Sequence, residues 1–301
     1  MTTTVLLLTP DPAQSAALAA VVQAAAPELT LLTDHRALDD AQLAAIDVVL
    51  GWRLPPGLAG RLTRLRWVCS MAAGVEKLLV PDLAPGVPMS RVVDPEQALG
   101  ISQYVALMCL RHARTLPLYE AQQMERRWTR HPLPAARHRI GMLGWGEVGR
   151  AAAAPLQALG FEVAPWRRDS GALHALLGRC QIVVIALPLT PETSGLLDAA
   201  AFAAMPRGAY LINVARGGHI VETDLIAAVQ SGHLAGAALD VQQHEPLPAD
   251  DPLWGVPGIT ITPHIAAQPS HETVARQFVA GLRCLQAGRP LPNAVDRGRG
   301  Y

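Results

Sequence analysis

The chain alternates short apolar runs with segments in which apolar residues return every three or four positions. Residues 5–8, 48–51, 67–69, 140–143, 161–165, 182–186, 210–214, 237–241 and 259–261 read as buried strands. Between them, residues 13–25, 148–159, 222–231 and 272–287 carry helical spacing. Strand and helix in alternation predict parallel sheets covered by helices. The longest helical candidate is 96–125, where Ile101, Tyr104, Val105 and Met108 share one face, and Pro117 predicts a kink or break in it. An Arg- and Pro-rich stretch, 126–139, then leads to the strand at Ile140 and reads as the passage between domains.

Composition narrows the classes. At roughly 150 residues per domain, 301 residues suggest two domains, and half of them are hydrophobic, ample for buried cores. Lys+Arg at 25 against Asp+Glu at 25 gives zero formal charge, so no global field favours nucleic acid or an anionic membrane. Arg126, Arg127, Arg130, Arg137 and Arg139 cluster, but only Trp128 lies among them, too little aromatic interleaving for a nucleic-acid surface. No run approaches the roughly 18 to 20 apolar residues of a membrane span. The apolar run 5–8 is too short for a signal peptide and has no basic residues before it, so a cytoplasmic protein is expected. Cys69, Cys109, Cys180 and Cys284 are scattered without metal-ligand spacing, so no metal site is expected.

Chemistry enters at Gly144-Trp145-Gly146-Glu147-Val148-Gly149, a GxGxxG between a predicted strand and a predicted helix. The first glycine permits the tight turn, the second lets a pyrophosphate approach the backbone, and the third lets helix pack on strand. The helix N-terminus adds amide donors. A structural turn or an S-adenosylmethionine site is the alternative. About twenty residues on, where a carboxylate would hold an NAD ribose, the chain reads Trp166-Arg167-Arg168-Asp169. Two guanidinium groups suit a 2′-phosphate, so NADP(H) is the expected cofactor, with NAD(H) possible if Asp169 serves the ribose.

Three later segments look like strand ends that carry polar residues to the ligand edge of a sheet: 211–218 with Arg216, 239–247 with Asp240 and Glu245, and 259–267 with His264. Arg216, Glu245 and His264, separated by 29 and 19 residues behind a GxGxxG, resemble the triad of the D-isomer-specific 2-hydroxyacid dehydrogenases. ALPLTPET at 186–193, NVARGG at 213–218, EPLP at 245–248 and TPHIAA at 262–267 match the framing words of that family, and Ala73-Gly74-Val75 resembles its substrate loop. Within the family, the Trp-Arg-Arg strand end and residues 295–301 are most similar to the glyoxylate and hydroxypyruvate reductases.

The resemblance implies two doubly wound parallel-sheet domains, Rossmann-like and flavodoxin-like, with the active site in the cleft between them. Residues 1–98 plus 268–301 would form the substrate domain and 99–267 the dinucleotide-binding domain. It also implies NADPH-preferring reduction of small 2-oxo acids such as glyoxylate and hydroxypyruvate. Arg216 would bind the substrate carboxylate and carbonyl, and the Ala73 and Gly74 amides would assist. Trp52, in the strand end Gly51-Trp52-Arg53, reads either as a wall of the substrate pocket or as a core tryptophan. His264 would exchange the proton and Glu245 would orient its ring. Leu187, Pro188, Val214, Ala215 and Asp240 would adjoin the cofactor. A homodimer is implied, with Trp128 on an arm that reaches the partner's active site. His244, lacking the Thr-Pro setting, reads as surface. Glu76, Met71-Ala72 and Gln242 depart from the family's usual residues and leave substrate preference open. Rivals are an NAD-dependent dehydrogenase of another substrate, formate or 3-phosphoglycerate dehydrogenase-like activities, and a nucleotide-sensing corepressor. Glu245 counts against the formate reading, where relatives carry glutamine.

Overall fold

The computed structural model describes residues 2–9, 12–132, 138–167 and 171–298. In chain order the elements are β1 (Thr4–Leu8), α1 (Pro12–Ala25), β2 (Thr30–Leu32), α2 (Asp40–Ala44), β3 (Val48–Gly51), β4 (Trp67–Ser70), β5 (Met89–Ser90), α3 (Pro95–Ala113) and α4 (Leu116–Met124). There follow β6 (Arg139–Leu143), α5 (Glu147–Ala158), β7 (Glu162–Trp166), α6 (Leu173–Leu177), β8 (Ile182–Ile185), α7 (Ala199–Ala204), β9 (Ala209–Asn213), α8 (Glu222–Gln230), β10 (Leu234–Leu239), β11 (Ile259–Ile261) and α9 (His271–Gln286). The chain divides into two compact units, Met1–Pro95 with Gln268–Tyr301, and Glu96–Ala267.

The first unit is a five-stranded parallel sheet in the order β2-β1-β3-β4-β5, the flavodoxin-like winding. Successive side chains of a strand point to opposite faces, and the apolar runs use both. Val5, Leu7, Val48, Leu50, Trp67 and Cys69 enter one core, and Leu6, Leu8, Val49 and Val68 the other. The first core is closed by α1 and by α9, which returns from the far end of the chain. There Phe278 stacks on Trp67 with ring centroids 5.2 Å apart, and a Cβ at Gly281 would stand 2.7 Å from the Trp67 ring. Arg297 donates to the carbonyls of Leu83, Ala84, Pro85 and Val87, which pins that loop.

The second unit is a six-stranded parallel sheet, β11-β10-β9-β8-β6-β7. Its faces divide the same way: Leu143, Val183, Ile185 and Leu211 pack toward α7 and α8, while Ile140, Met142, Val184 and Ile212 pack toward α3 and α5. Among the described residues β7 is an edge strand, which is why Pro165 can sit inside it.

The expected helix over 96–125 is two helices, and the break is not at Pro117. Thr115 adopts a left-handed φ of 52° after α3 ends at Ala113, and Pro117 falls in the first turn of α4, where a missing N–H costs nothing. No helix of the described residues is long and apolar enough to cross a membrane.

On the α3 side, His112 lies flat on Tyr210, with centroids 4.5 Å apart, and His138 stands edge-on at 6.2 Å. Burial, then the neighbouring His138, pulls the pKa of His112 down to about 4. The unfolded chain takes up this proton near ~6.5, so stability present above that pH is lost as it falls toward the folded value. His112→Phe keeps the stack without the titration. Its urea unfolding midpoint should fall less than the parent's between pH 6.5 and about 4, a relief of up to about 1.4 kcal/mol per pH unit. Equal slopes in the two proteins would exclude His112 as the responsible group.

Candidate active site

The six strands of the second unit stop at a common level. Leu143 pairs with Trp166 and Ile185, Ile185 with Asn213, Asn213 with Leu239, and Leu239 with Ile261. At the usual strand spacing this edge runs about 24 Å. β6 leads to β7 on one side and later strands build outward from β8 on the other, so the winding reverses over Leu143 and Ile185. Ligands of doubly wound sheets collect at such a reversal, beyond the carboxyl ends of the strands.

The glycine cradle opens directly from this point. Gly144 has φ +106°, and a Cβ there would lie 2.3 Å from the Ala186 carbonyl oxygen; one at Gly149 would lie 2.1 Å from that of Gly144. The protein's own packing demands both glycines. Gly146 differs: its φ is an ordinary −80°, and nothing lies within 4 Å of where a Cβ would stand. The space is at the N-terminus of α5, whose first amides have no helical acceptors, and it fits a pyrophosphate.

Arg167 is exposed at the end of β7, beside the cradle, because the Gly144 N–H donates to the Trp166 carbonyl at 3.0 Å. Trp166 itself is buried, and its ring N–H donates to the Gly171 carbonyl. It anchors the strand end. Arg168 and Asp169 lie outside the described residues. Leu187, Val214 and Ala215 turn their side chains into the cores, leaving backbone for any ligand contact. Pro188 is partly exposed, and its carbonyl accepts from Thr193 Oγ1 at 2.8 Å.

Farther along the edge, Arg216 follows β9 in extended backbone and keeps partial exposure. Next to it, a Cβ at Gly217 would stand 2.0 Å from the Gln242 carbonyl carbon. The Arg216 turn is therefore pressed against the loop that carries Glu245. Glu245 oxygens lie 3.1 and 3.2 Å from His264 Nδ1, and the two side chains are 19% and 26% exposed, open enough for a ligand to reach the ring. His244 is exposed.

His264 sits at a left-handed φ of 56°, and Asp240 holds it there. The His264 N–H donates to the Asp240 carbonyl at 2.8 Å. The Asp240 carboxylate accepts the Ile265 and Ala266 N–H groups at 2.9 Å and the Thr262 hydroxyl at 2.6 Å. Tyr104, whose pKa burial pushes up to about 12, lies 2.8 Å from Thr262 Oγ1 and donates to it. Asp240 is 1% exposed, and its carboxylate shapes the histidine turn. Gln242 is likewise turned inward and donates to the Leu239 carbonyl.

In the first unit, Trp52 follows β3, with the Lys77 ammonium 5.2 Å above its ring. The Ala73-Gly74 loop is pinned by Ser70, whose hydroxyl donates to the Gly74 carbonyl at 2.7 Å and accepts the Ala72 N–H. Among the described residues no His, Cys, Asp and Glu cluster could hold a metal.

A pyrophosphate cradle on the same strand-end edge as an arginine and a carboxylate-held histidine defines a dinucleotide-dependent oxidoreductase of the doubly wound α/β class. Comparison with known proteins sharpens this. The family model for the NAD binding domain of D-isomer specific 2-hydroxyacid dehydrogenases matches residues 106–266. A glyoxylate/hydroxypyruvate reductase A of Yersinia enterocolitica is 36% identical over 276 residues, 85% of this chain and 88% of the relative. The crystal structure of a family member from Xanthobacter autotrophicus in complex with NADPH and MES is 37% identical with a TM-score of 0.86, covering all of both chains. That of an NADPH-dependent glyoxylate/hydroxypyruvate reductase from Sinorhizobium meliloti, with NADP and sulfate, is 32% identical with a TM-score of 0.89, covering 99% of this chain and 100% of the other. The chain belongs to the D-isomer-specific 2-hydroxyacid dehydrogenase family.

The two kinds of glycine can be separated. Gly149→Ala should lower the thermal unfolding midpoint by several degrees, because a backbone carbonyl stands where its Cβ must go. Gly146→Ala should leave that midpoint in place and weaken dinucleotide binding measured by calorimetric titration. Undiminished binding by Gly146→Ala would mean that the open space is not the cradle.

Proposed function

We propose that this protein is a cytoplasmic, NADPH-preferring reductase of small 2-oxo acids, converting glyoxylate to glycolate and hydroxypyruvate to D-glycerate. The observation that carries this reading is the Glu245–His264 pair on the same strand-end edge as the glycine cradle. Arg167, at the position where an NAD-binding chain would place a carboxylate, supports NADPH, as do the NADPH and NADP in the related structures. Gly144, Gly146 and Gly149 with the first turn of α5 would hold the pyrophosphate, and Arg167 with Arg168 the 2′-phosphate.

When bound, the reduced nicotinamide supplies the hydride. Arg216 grips the substrate carboxylate and carbonyl through two N–H bonds and so fixes the 2-oxo carbon. Ala73 and Gly74 are the proposed amide donors to the same carboxylate, and Trp52 a wall residue. His264 delivers the proton to the carbonyl oxygen as negative charge develops there, from the ring nitrogen opposite the one Glu245 holds. Glu245 keeps the imidazole oriented and supports the positive charge it carries before transfer.

We also read the protein as a homodimer. Leu99 and Leu107 on α3, Leu116, Leu118 and Met124 on α4, and Trp128 beyond it, 92% exposed, form a run of uncovered apolar side chains. Leu107→Glu should convert a dimer into a monomer in analytical ultracentrifugation, and a monomeric parent protein would remove this part of the proposal.

Initial rates of NADPH and NADH oxidation with glyoxylate, hydroxypyruvate and pyruvate test the reaction. Replacing Arg167 and Arg168 by alanine should raise the KM for NADPH roughly 10- to 100-fold, the worth of one or two charge-assisted bonds, and leave NADH unchanged. His264→Ala should abolish turnover while the dinucleotide still binds. No turnover with any of the three acids would sink the proposal.

A further inference from the structure

The turn that carries Arg216 contains a histidine that the reaction above does not use. His219 closes the short 3₁₀ turn Gly217–His219 and is fully buried. Its Nδ1 lies 2.9 Å from the Arg216 carbonyl oxygen, and its Nε2 lies 3.3 Å from the Pro188 carbonyl oxygen. Both partners are acceptors, so the ring works as a donor, most directly from Nδ1 to Arg216.

The Arg216 carbonyl is held from a second direction, because Asn213 Nδ2 donates to it at 2.8 Å. A peptide unit is planar, so fixing this carbonyl fixes the ψ of Arg216 and the direction in which its Cα–Cβ bond leaves the backbone, while the guanidinium itself donates to the Ala215 carbonyl at 2.6 Å. The Pro188 carbonyl belongs to the loop after β8, which is stitched to the same turn by backbone bonds from Gly195 to Gly218 and from Leu197 to His219. His219 thus stands between the segment read as cofactor-binding and the residue read as substrate-binding.

We propose that His219 is a positioning residue for Arg216: by donating from Nδ1 to the Arg216 carbonyl, with its far edge against the Pro188 carbonyl, it sets the direction in which the Arg216 side chain leaves the turn toward a substrate carboxylate. This rests on the reading of Arg216 as the carboxylate-binding group. A histidine serving only to fill space would move stability. A positioning histidine moves carboxylate affinity.

His219→Leu removes the ring donor and keeps the bulk. It should raise the KM for glyoxylate and the inhibition constant of oxalate together, by roughly tenfold, the worth of a hydrogen bond lost beside a charged group. The Kd of NADPH should stay within twofold. His219→Asn, whose side-chain amide falls near the Nδ1 position, should restore most of the oxalate affinity, whereas His219→Gln, reaching toward Pro188, should not. If His219→Leu does not fold, the Asn–Gln difference alone decides, and equal oxalate affinities in those two variants overturn the proposal. So does an unchanged oxalate affinity in His219→Leu, or a parallel loss of NADPH. Arg216→Ala runs alongside: if it keeps oxalate affinity, the substrate reading of Arg216 fails. If it loses that affinity while His219→Leu does not, only the positioning role fails.

Discussion

Parallel pairing brings six strand ends of the second unit to one level, a register shift between Leu234 and Gly236 being confined to the far end of β10, and the chemistry of that unit depends on this alignment. Trp166, Leu143, Ile185, Asn213, Leu239 and Ile261 are register partners in turn. The residues just beyond them therefore share one edge although Leu143 and Ile261, the first and last in sequence, are more than one hundred positions apart. A slip of one residue in β10 would exchange its two faces and also displace Asp240, on which the His264 turn hangs. The cores on either side of the sheet hold that register, so the apolar runs specify the site as much as its polar residues do.

Two kinds of demand shape the edge, and glycine shows the difference. Gly144, Gly149 and Gly217 are required by protein against protein, since a Cβ at each would collide with backbone. Gly146 meets no such neighbour, and the open space beside it is where the proposed pyrophosphate would lie. Asp240 and Glu245 divide in the same manner. Both are carboxylates beside one histidine, but the first is buried and saturated by hydrogen bonds, while the second keeps exposure and faces the ring.

Most strands were legible in the sequence because burial on both faces leaves few polar interruptions, and β7 and β11, each with a polar residue inside, were legible from their place in the strand–helix alternation. β2, of three residues, and β5, of two, were not, and neither were α2, α6 and α7, which span about one to two turns. The break before α4 was misplaced because a left-handed threonine carries no sequence signature, whereas Pro117 does. At the site, the Glu245–His264 pairing could be anticipated from motif order. The burial of Asp240 could not, since two of its partners are main-chain N–H groups that any residue would supply. Asn213 stood inside a recognised motif, yet its bond to the Arg216 carbonyl, like that of His219, is invisible until the backbone is folded.

The return of α9 to the first unit sets an order of events during synthesis. Trp67 leaves the ribosome some two hundred residues before Phe278, the ring that covers it. At about 5–20 residues per second, the apolar face of β1, β3 and β4 waits on the order of 10 to 40 s for its cover. The second unit, continuous in sequence, is complete before the first can close. For that interval the nascent chain presents a finished domain tethered to an open sheet, the state in which an early-emerging unit is most exposed to wrong partners and most dependent on chaperones.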